Sequence, residues 1–147
     1  MHASVKGINM YRMIDVPQVP TELILPLDKV LELENFFGGY TKNYTIHEVQ
    51  DDLRAYLKPL FPHCKKFRYQ TLVDNVPVHI DRGRTTAINY VVDPGGDNVS
   101  TAWYTDEFGD KIEEVVLPTN QWHEIEVDKW HTVHGITRRR YAITVCE

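Results

Sequence analysis

The feature that most constrains the fold is a succession of short β-type segments that fills the chain from residue 66 onward. These segments are rich in β-branched and aromatic residues, which favour strands. Turn-forming runs such as Asp93-Pro94-Gly95-Gly96 and Gly109-Asp110 separate many of them. The predicted strands are Lys66–Val73, Val76–Ile80, Thr86–Val92, Val99–Tyr104, Lys111–Val116, Trp122–Val127, Trp130–His134 and Arg140–Cys146. Eight short strands at this spacing predict a mostly β, antiparallel domain that is closed or made of two sheets, such as a jelly roll.

Two helices are predicted ahead of these strands. The first covers Asp28–Phe37 and ends at Gly38-Gly39. The second follows Thr45, because Thr45 and Glu48 have the spacing of a capping box and an apolar stripe at helical period runs on to Leu60. We expect these helices to brace the outer face of one sheet. An edge strand within residues 5–14 is a further possibility.

Chain length and net charge limit the classes of protein to which this chain can belong. A chain of 147 residues with 42% hydrophobic content predicts one domain over 1–147, with helical support over 1–65 and a β core over 66–147. The net charge of −5 argues against a nucleic-acid or membrane-surface binder. The N-terminus has no long apolar run, so neither a signal peptide nor a spanning helix is predicted and the cytoplasm is the expected location.

The two cysteines, Cys64 and Cys146, lie far apart in the sequence. They could pair with each other, but nothing resembles a disulfide framework or a CxxC metal site. Free thiols in a reducing compartment are therefore the expected state.

The segment His79-Ile80-Asp81 offers two potential metal ligands. His79 and Asp81 are two residues apart at the end of a predicted strand, so both side chains leave the same face. His131 could return from a different strand as a third ligand. Two histidines and one carboxylate are the ligands of a mononuclear non-haem Fe(II) site with open coordination positions. The alternative is a structural His79–Asp81 pair, since isolated HxD sequences often occur by chance.

Other histidines compete with His131 for the third position. On the strand Trp130–His134, His131 and His134 point to opposite faces, so only one of them can be a ligand. His123 is a weaker candidate, which we interpret as a cross-strand surface residue. The spacing of the residues leaves this choice open.

Arg140 is a candidate anion-binding residue at the start of the last predicted strand. Ala142 and Thr144 share its face, and their small side chains leave room for a ligand. A guanidinium there could hold the carboxylate of a bound acid. The alternative is that Arg140 belongs to the solvated charge run that begins at Arg138.

Taken together, these segments resemble the 2-oxoglutarate- and Fe(II)-dependent oxygenases. The segment His79–Arg84 is similar to the HxDxxR element of that family. Trp130–Val133 is similar to its distal H-x-V element, and Arg140–Ile143 to its R-x-[S/A]-[I/L] element. The nearest group is the aspartyl/asparaginyl hydroxylase-like one, which includes small prokaryotic and phage members. The resemblance covers 66–147 and implies a double-stranded β-helix, the jelly roll that cupins share.

The resemblance also implies roles for individual residues. It makes His79, Asp81 and His131 the iron ligands and catalytic residues, and it selects His131 over His134 because the H-x-V element starts there. Arg140 becomes the anchor of the 2-oxoglutarate C5 carboxylate.

One position departs from the family's pattern near that anchor. Ala142 stands where many members have serine. Another donor would have to complete cosubstrate binding, and the candidates are Tyr69, Thr71 and Asn89.

The implied activity is that of a dioxygenase that hydroxylates a peptide side chain or a small polar molecule and releases succinate and CO2. The substrate and the oligomeric state stay open. Two other functions compete with it: a cupin-like metalloenzyme that does not use 2-oxoglutarate, and a non-catalytic jelly-roll binding module. Binding of Fe(II) and of 2-oxoglutarate separates the three.

Overall fold

The computed structural model describes residues 9–36 and 43–146, and its ten strands form two antiparallel sheets. The strands are β1 (Tyr11–Met13), β2 (Tyr44–Glu48), β3 (Phe67–Leu72), β4 (Val76–His79), β5 (Thr86–Asp93), β6 (Ser100–Tyr104), β7 (Lys111–Val115), β8 (Trp122–Glu126), β9 (His131–His134) and β10 (Arg140–Val145). The large sheet has the order β1-β8-β5-β10-β3-β2, and the small sheet has the order β4-β9-β6-β7.

The strands from β3 onward pair in a nested order. β3 pairs with β10, β4 with β9, β5 with β8, and β6 with β7. Further pairing of β5 with β10 and of β6 with β9 joins these ladders into the two sheets. This topology is a jelly roll, so the predicted fold class and all eight predicted strands are confirmed, with strand ends shifted by one residue at most.

The N-terminal part contributes two short helices and a 3₁₀ turn at Thr21–Leu23. The helices are α1 (Leu27–Val30) and α2 (Asp51–Leu60). No helix in 9–36 or 43–146 is long and apolar enough to cross a membrane. The predicted edge strand is also present, as β1 beside β8, while residues 5–8 lie outside the described residues.

The first predicted helix is wrong in length, because α1 ends at Val30. The segment that follows α1 forms hydrogen bonds with β2 instead. The Phe36 amide donates to the Ile46 carbonyl at 2.9 Å, and the Ile46 amide donates to the Asn35 side-chain oxygen at 3.2 Å. These tertiary bonds replace helical ones, and the Gly38-Gly39 end of the prediction lies outside the described residues.

The predicted capping box at Thr45 is also wrong, since Thr45 and Glu48 belong to β2. Pairing with β3 outweighs the local helix signal there, and the Thr45 hydroxyl is hydrogen-bonded to that of Thr71 on β3. The second helix exists, but it begins at Asp51. Acidic residues in its first turn suit the positive end of the helix dipole.

Two hydrophobic clusters divide the interior. The first lies between the helices and the outer face of the large sheet, where Phe67 and Ile143 pack against α2. The second lies between the sheets and includes Trp103 of β6 and Ile125 of β8. The face of β10 that carries its bulky side chains therefore packs against the helices. The opposite face, which carries Arg140, is directed into the space between the two sheets.

The expectation of free thiols is wrong, because the structure joins Cys64 and Cys146 in a disulfide. Their Cα atoms are 4.5 Å apart although 82 residues separate them in the sequence. Cys64 follows α2, and the Cys146 amide donates to the Lys66 carbonyl at 3.0 Å beyond the end of the β3–β10 ladder. That long-range ladder brings the cysteines together. Since disulfides are typical of oxidising compartments, the cytoplasmic location stays a prediction.

Candidate metal centre

Three potential metal ligands converge at one end of the jelly roll. His79 ends β4 and His131 begins the neighbouring strand β9, where the two are register partners. The His79 Nε2 atom lies 3.2 Å from Asp81 Oδ1, and the His131 Nε2 atom lies 3.7 Å from the same oxygen. One ligand atom from each residue falls within 4.8 Å of the other two. Two imidazole nitrogens and a carboxylate oxygen thus surround a space of the size that one ion needs.

Backbone carbonyls fix the orientation of both imidazoles. His79 Nδ1 is 2.8 Å from the Pro77 carbonyl oxygen, and His131 Nδ1 is 2.7 Å from the Lys129 carbonyl oxygen. A carbonyl only accepts hydrogen bonds, so Nδ1 is the donor in each ring. Nε2 of each ring faces Asp81, so release of any proton from Nε2 would direct its lone pair at an ion bound there, which is the arrangement typical of metal-binding histidines.

The environment keeps Asp81 ionised. Its hydrogen bond with His79 is the main cause that lowers the Asp81 pKa to about 2, and Arg84 lowers it further against the opposing effect of burial. The same contact with Asp81 raises the pKa of His79, whereas burial lowers that of His131. The cluster therefore holds an anionic oxygen at neutral pH, as a cation site requires.

Arg84 holds the carboxylate of Asp81 from the other side. Its Nε and Nη2 atoms donate to Asp81 Oδ2 at 3.2 and 2.9 Å, which leaves Oδ1 for the histidines. The turn between them requires a positive φ of 90° at Gly83. Arg84 had no predicted role, although its position three residues after Asp81 was a usable signal.

We expect Arg84→Ala to weaken divalent-metal binding by about 10- to 100-fold, the range seen when a partner that orients a metal ligand is removed. The measurement is calorimetric titration of the metal-free protein with Mn²⁺. Arg82→Ala is the matched control, because Arg82 is exposed in the same turn. Equal affinities for the Arg84 variant and the wild type would show that the carboxylate needs no such support.

A cavity of about 210 Å³ joins the ligand cluster to Arg140. It lies between the two sheets, and apolar side chains make up much of its wall. Its lining residues are Tyr44, Gln70, Leu72, Val76, His79, Asp81, Arg84, Ala87, Asn89, Thr101, Leu117, Ile125, Val127, His131, Val133 and Arg140. Polar and charged groups that converge on a concave cavity with apolar walls between them are typical of a small-molecule site.

Arg140 is a half-buried cation that lines this cavity. Burial lowers its pKa to about 10, so the guanidinium remains charged at neutral pH. It donates to the Pro94 carbonyl at 3.4 Å, and no carboxylate of the described residues lies within 4.0 Å of it. Arg138, by contrast, is exposed and forms an ion pair with Asp93 at 3.0 Å. A buried charge without a counterion is costly, so Arg140 suits an anionic ligand.

The structure brings only one of the three candidate donors into the cavity. Asn89 lines it, and its Oδ1 atom is buried without a hydrogen-bond partner. Tyr69 instead lies on the helix side of the large sheet, where its hydroxyl donates to Gln50 Oε1 at 2.9 Å. Thr71 is on the same face as Tyr69, and its hydroxyl accepts from Arg139 at 3.0 Å.

Two polar residues of the cavity were missed by sequence analysis. Gln70 of β3 donates to the Tyr44 hydroxyl of β2 at 3.0 Å, and both side chains line the cavity. Gln70 lies between Tyr69 and Thr71 in the sequence, so strand alternation puts it on the opposite face from both. That alternation was the signal that could have identified it.

The other two histidines considered as ligands, His134 and His123, lie apart from the ligand cluster. His134 is on the outer face of the small sheet, 3.0 Å from Glu114 and 3.1 Å from Ser100. The interpretation of His123 as a surface residue is wrong, because it is fully buried on the inner face of β8. The reason is that β8 is not an edge strand: β1 pairs with it on one side and β5 on the other.

Fold and site together define a jelly-roll protein with a His-Asp-His candidate metal centre. No protein-family model and no curated protein matches the chain. Among solved structures, an oxidoreductase of the 2OG-Fe(II) oxygenase family from Burkholderia pseudomallei is similar, with a TM-score of 0.56 and 6% identity over 81% of this chain and 74% of that one. A Pseudomonas putida prolyl-4-hydroxylase has a TM-score of 0.51 and 14% identity over 97% and 96%. At these identities the likeness shows the fold.

Proposed function

We propose that this protein is an Fe(II)- and 2-oxoglutarate-dependent oxygenase of the aspartyl/asparaginyl hydroxylase-like group. The observation that carries the proposal is that three converging ligand atoms line one cavity with Arg140, whose guanidinium has no carboxylate partner among the described residues. The names of the two similar structures, an oxygenase and a hydroxylase of the same fold, support it. The substrate is a peptide side chain or a small polar molecule.

The donor set fits Fe(II). His79, Asp81 and His131 would hold the ion through two nitrogens and one oxygen, a set that leaves coordination positions open. Arg84 engages the second oxygen of Asp81 and so favours binding of the metal through the first. The cavity that these residues line is where further ligands of the ion would enter.

The far end of the cavity fits a dicarboxylic cosubstrate. Arg140 would bind the C5 carboxylate of 2-oxoglutarate by charge-assisted hydrogen bonds. Apolar residues such as Leu72 and Val133 line the same cavity and would exclude water from a bound cosubstrate. When bound, iron and cosubstrate would activate dioxygen, the oxidant, so that one oxygen atom enters the hydroxylated substrate and the other enters succinate, with release of CO2. The chain's own part is to orient the two groups and to exclude solvent.

The experiment that tests the proposal is anaerobic titration of the Fe(II)-loaded protein with 2-oxoglutarate. Chelation of the iron by the keto acid is expected to produce a weak visible metal-to-ligand charge-transfer band. Bound iron without that band would overturn the use of 2-oxoglutarate and favour a cupin-like metalloenzyme. Failure to bind iron at all would favour a non-catalytic binding module.

We expect Arg140→Ala to reduce the affinity for 2-oxoglutarate by about 100-fold or more, because a buried charge-assisted contact is lost. Fe(II) affinity should change little, since Arg140 does not belong to the ligand cluster. Arg140→Lys should give an intermediate affinity, because it keeps the charge but not the two-pronged geometry. The charge-transfer titration measures all three proteins, with Arg138→Ala as the control. Unchanged cosubstrate affinity in Arg140→Ala would contradict the role of Arg140.

A further inference from the structure

His123 has no structural role that the fold explains. Its side chain is 0% exposed, and neither ring nitrogen makes a hydrogen bond of acceptable geometry within residues 9–36 and 43–146, although the backbone of Gln121 lies near the ring. Buried polar side chains in proteins are normally hydrogen-bonded, because loss of water without a replacement costs free energy. An interior imidazole that has no partner among the described residues therefore suits a hydrogen bond to a ligand.

A second unpartnered polar atom lies beside His123. Asn89 of β5 is its register partner on the inner face of the large sheet, and Asn89 Oδ1 is likewise buried without a partner. On its other side Asn89 is the register partner of Thr144 on β10, the strand that Arg140 begins. Asn89 lines the same cavity as Arg140. His123 therefore lies next to the cavity, on the strand that flanks β5.

The charges around His123 suit an anionic ligand. Burial is the main cause that lowers the His123 pKa to about 4, and the positive charge of Arg140 contributes. The imidazole is therefore neutral at pH 7 and offers one N–H donor. Arg140 and Asn89 line one cavity and His123 is the register partner of Asn89, so a carboxylate in that cavity could receive charge from the guanidinium and a directed hydrogen bond from the imidazole.

We propose that His123 is a cosubstrate-binding residue that donates a hydrogen bond to the carboxylate bound by Arg140. The inference rests on the proposed function, in which that group is the distal carboxylate of 2-oxoglutarate. It supplies the donor that the methyl side chain of Ala142 cannot provide. Asn89 lies between the two strands that carry the contacts and can orient the imidazole or the carboxylate.

The test compares two keto acids on the protein loaded with Zn²⁺, which is redox-inert. One is 2-oxoglutarate, and the other is 2-oxopentanoate, which has a methyl group in place of the distal carboxylate. We expect His123→Leu to lower calorimetric affinity for 2-oxoglutarate by about 10- to 100-fold, the equivalent of a hydrogen bond to a charged group. Its affinity for 2-oxopentanoate should not change. His123→Gln keeps a donor and should recover part of the loss.

Stability separates this role from a purely structural one. Leucine fills much of the same space without an unpartnered polar group, so the ligand-free His123→Leu protein should melt at or above the wild-type temperature. His123→Met, whose side chain adapts to irregular space, is a second loss variant if leucine does not fold. His134→Leu is the matched control and should leave both affinities unchanged.

Three results would overturn the inference. The first is equal affinity of the wild type and both loss variants for 2-oxoglutarate. The second is a parallel loss of affinity for both keto acids, which would show a general disturbance of the site. The third is a wild type that does not prefer 2-oxoglutarate over 2-oxopentanoate, which would overturn the proposed function itself and the inference with it.

Discussion

Replacement of Asp81 by alanine is expected to lower Fe(II) affinity by more than about a hundredfold, beyond the effect expected for residues that only orient the ligands. Asp81 Oδ1 is the atom that both histidine Nε2 atoms approach, at 3.2 and 3.7 Å. Without it the site keeps two neutral donors and no negative charge. The charge-transfer band on addition of 2-oxoglutarate should disappear as well, because no iron is held to produce it.

The variant Asp81→Asn tests the effect of the negative charge separately from that of the side-chain shape. The amide has nearly the same size as the carboxylate but is neutral, so it should lose most of the iron affinity while disturbing the loop less. The Asp81 backbone amide donates to the Val127 carbonyl at 2.8 Å, and this bond is independent of the side chain. Metal content after dialysis and Co²⁺ absorption are the measurements. Retention of iron by both variants would exclude Asp81 as a ligand, and His134→Ala is the control outside the cluster.

Removal of the Cys64–Cys146 disulfide is expected to lower the free energy of unfolding by about 4 kcal/mol. The bridge closes a loop over a sequence separation of 82 residues, and the chain-entropy estimate for such a loop is about 4–5 kcal/mol. Part of that gain is offset wherever the unfolded chain is already compact. For a chain of this size the melting temperature should fall by roughly 10 °C or more.

Urea unfolding with and without a reducing agent measures this effect. The double variant Cys64→Ala/Cys146→Ala is the control, because its unfolding should not respond to the reducing agent. It should unfold at about the same urea concentration as the reduced wild type. Two titratable thiols in the native, non-reduced protein would contradict the disulfide directly.

The strands were predictable because each depends on short-range features, namely β-branched runs bounded by turn residues. The failures come from long-range pairing. Thr45 and Glu48 carry a genuine helix signal, yet the partner strand β3 makes them a strand. The disulfide likewise follows from the β3–β10 ladder, which no local pattern around Cys64 or Cys146 reveals.

The candidate site was predictable where its residues lie close in sequence. His79 and Asp81 share a face by strand alternation alone, whereas the position of His131 depends on β9 pairing with β4. The prediction that Tyr69 could be a cosubstrate donor was wrong, because strand alternation shows which residues share a face of the sheet but not which face lines the cavity. His123 was misread for a related reason, since its burial depends on a neighbouring strand contributed by the N-terminal part of the chain.

The nested strand pairing also bears on how the protein assembles. The β6–β7 hairpin is the innermost pair and closes the shortest loop, so its formation costs the least chain entropy. Each outer pair encloses the one before it, and the β3–β10 ladder encloses all the others. Such non-local pairings slow folding. The ladder that pairs His79 with His131 is the third of the four nested pairs counted from the hairpin. A metal ion would therefore bind at a late stage of folding. The disulfide, which lies beyond the outermost ladder, would stabilise the completed jelly roll.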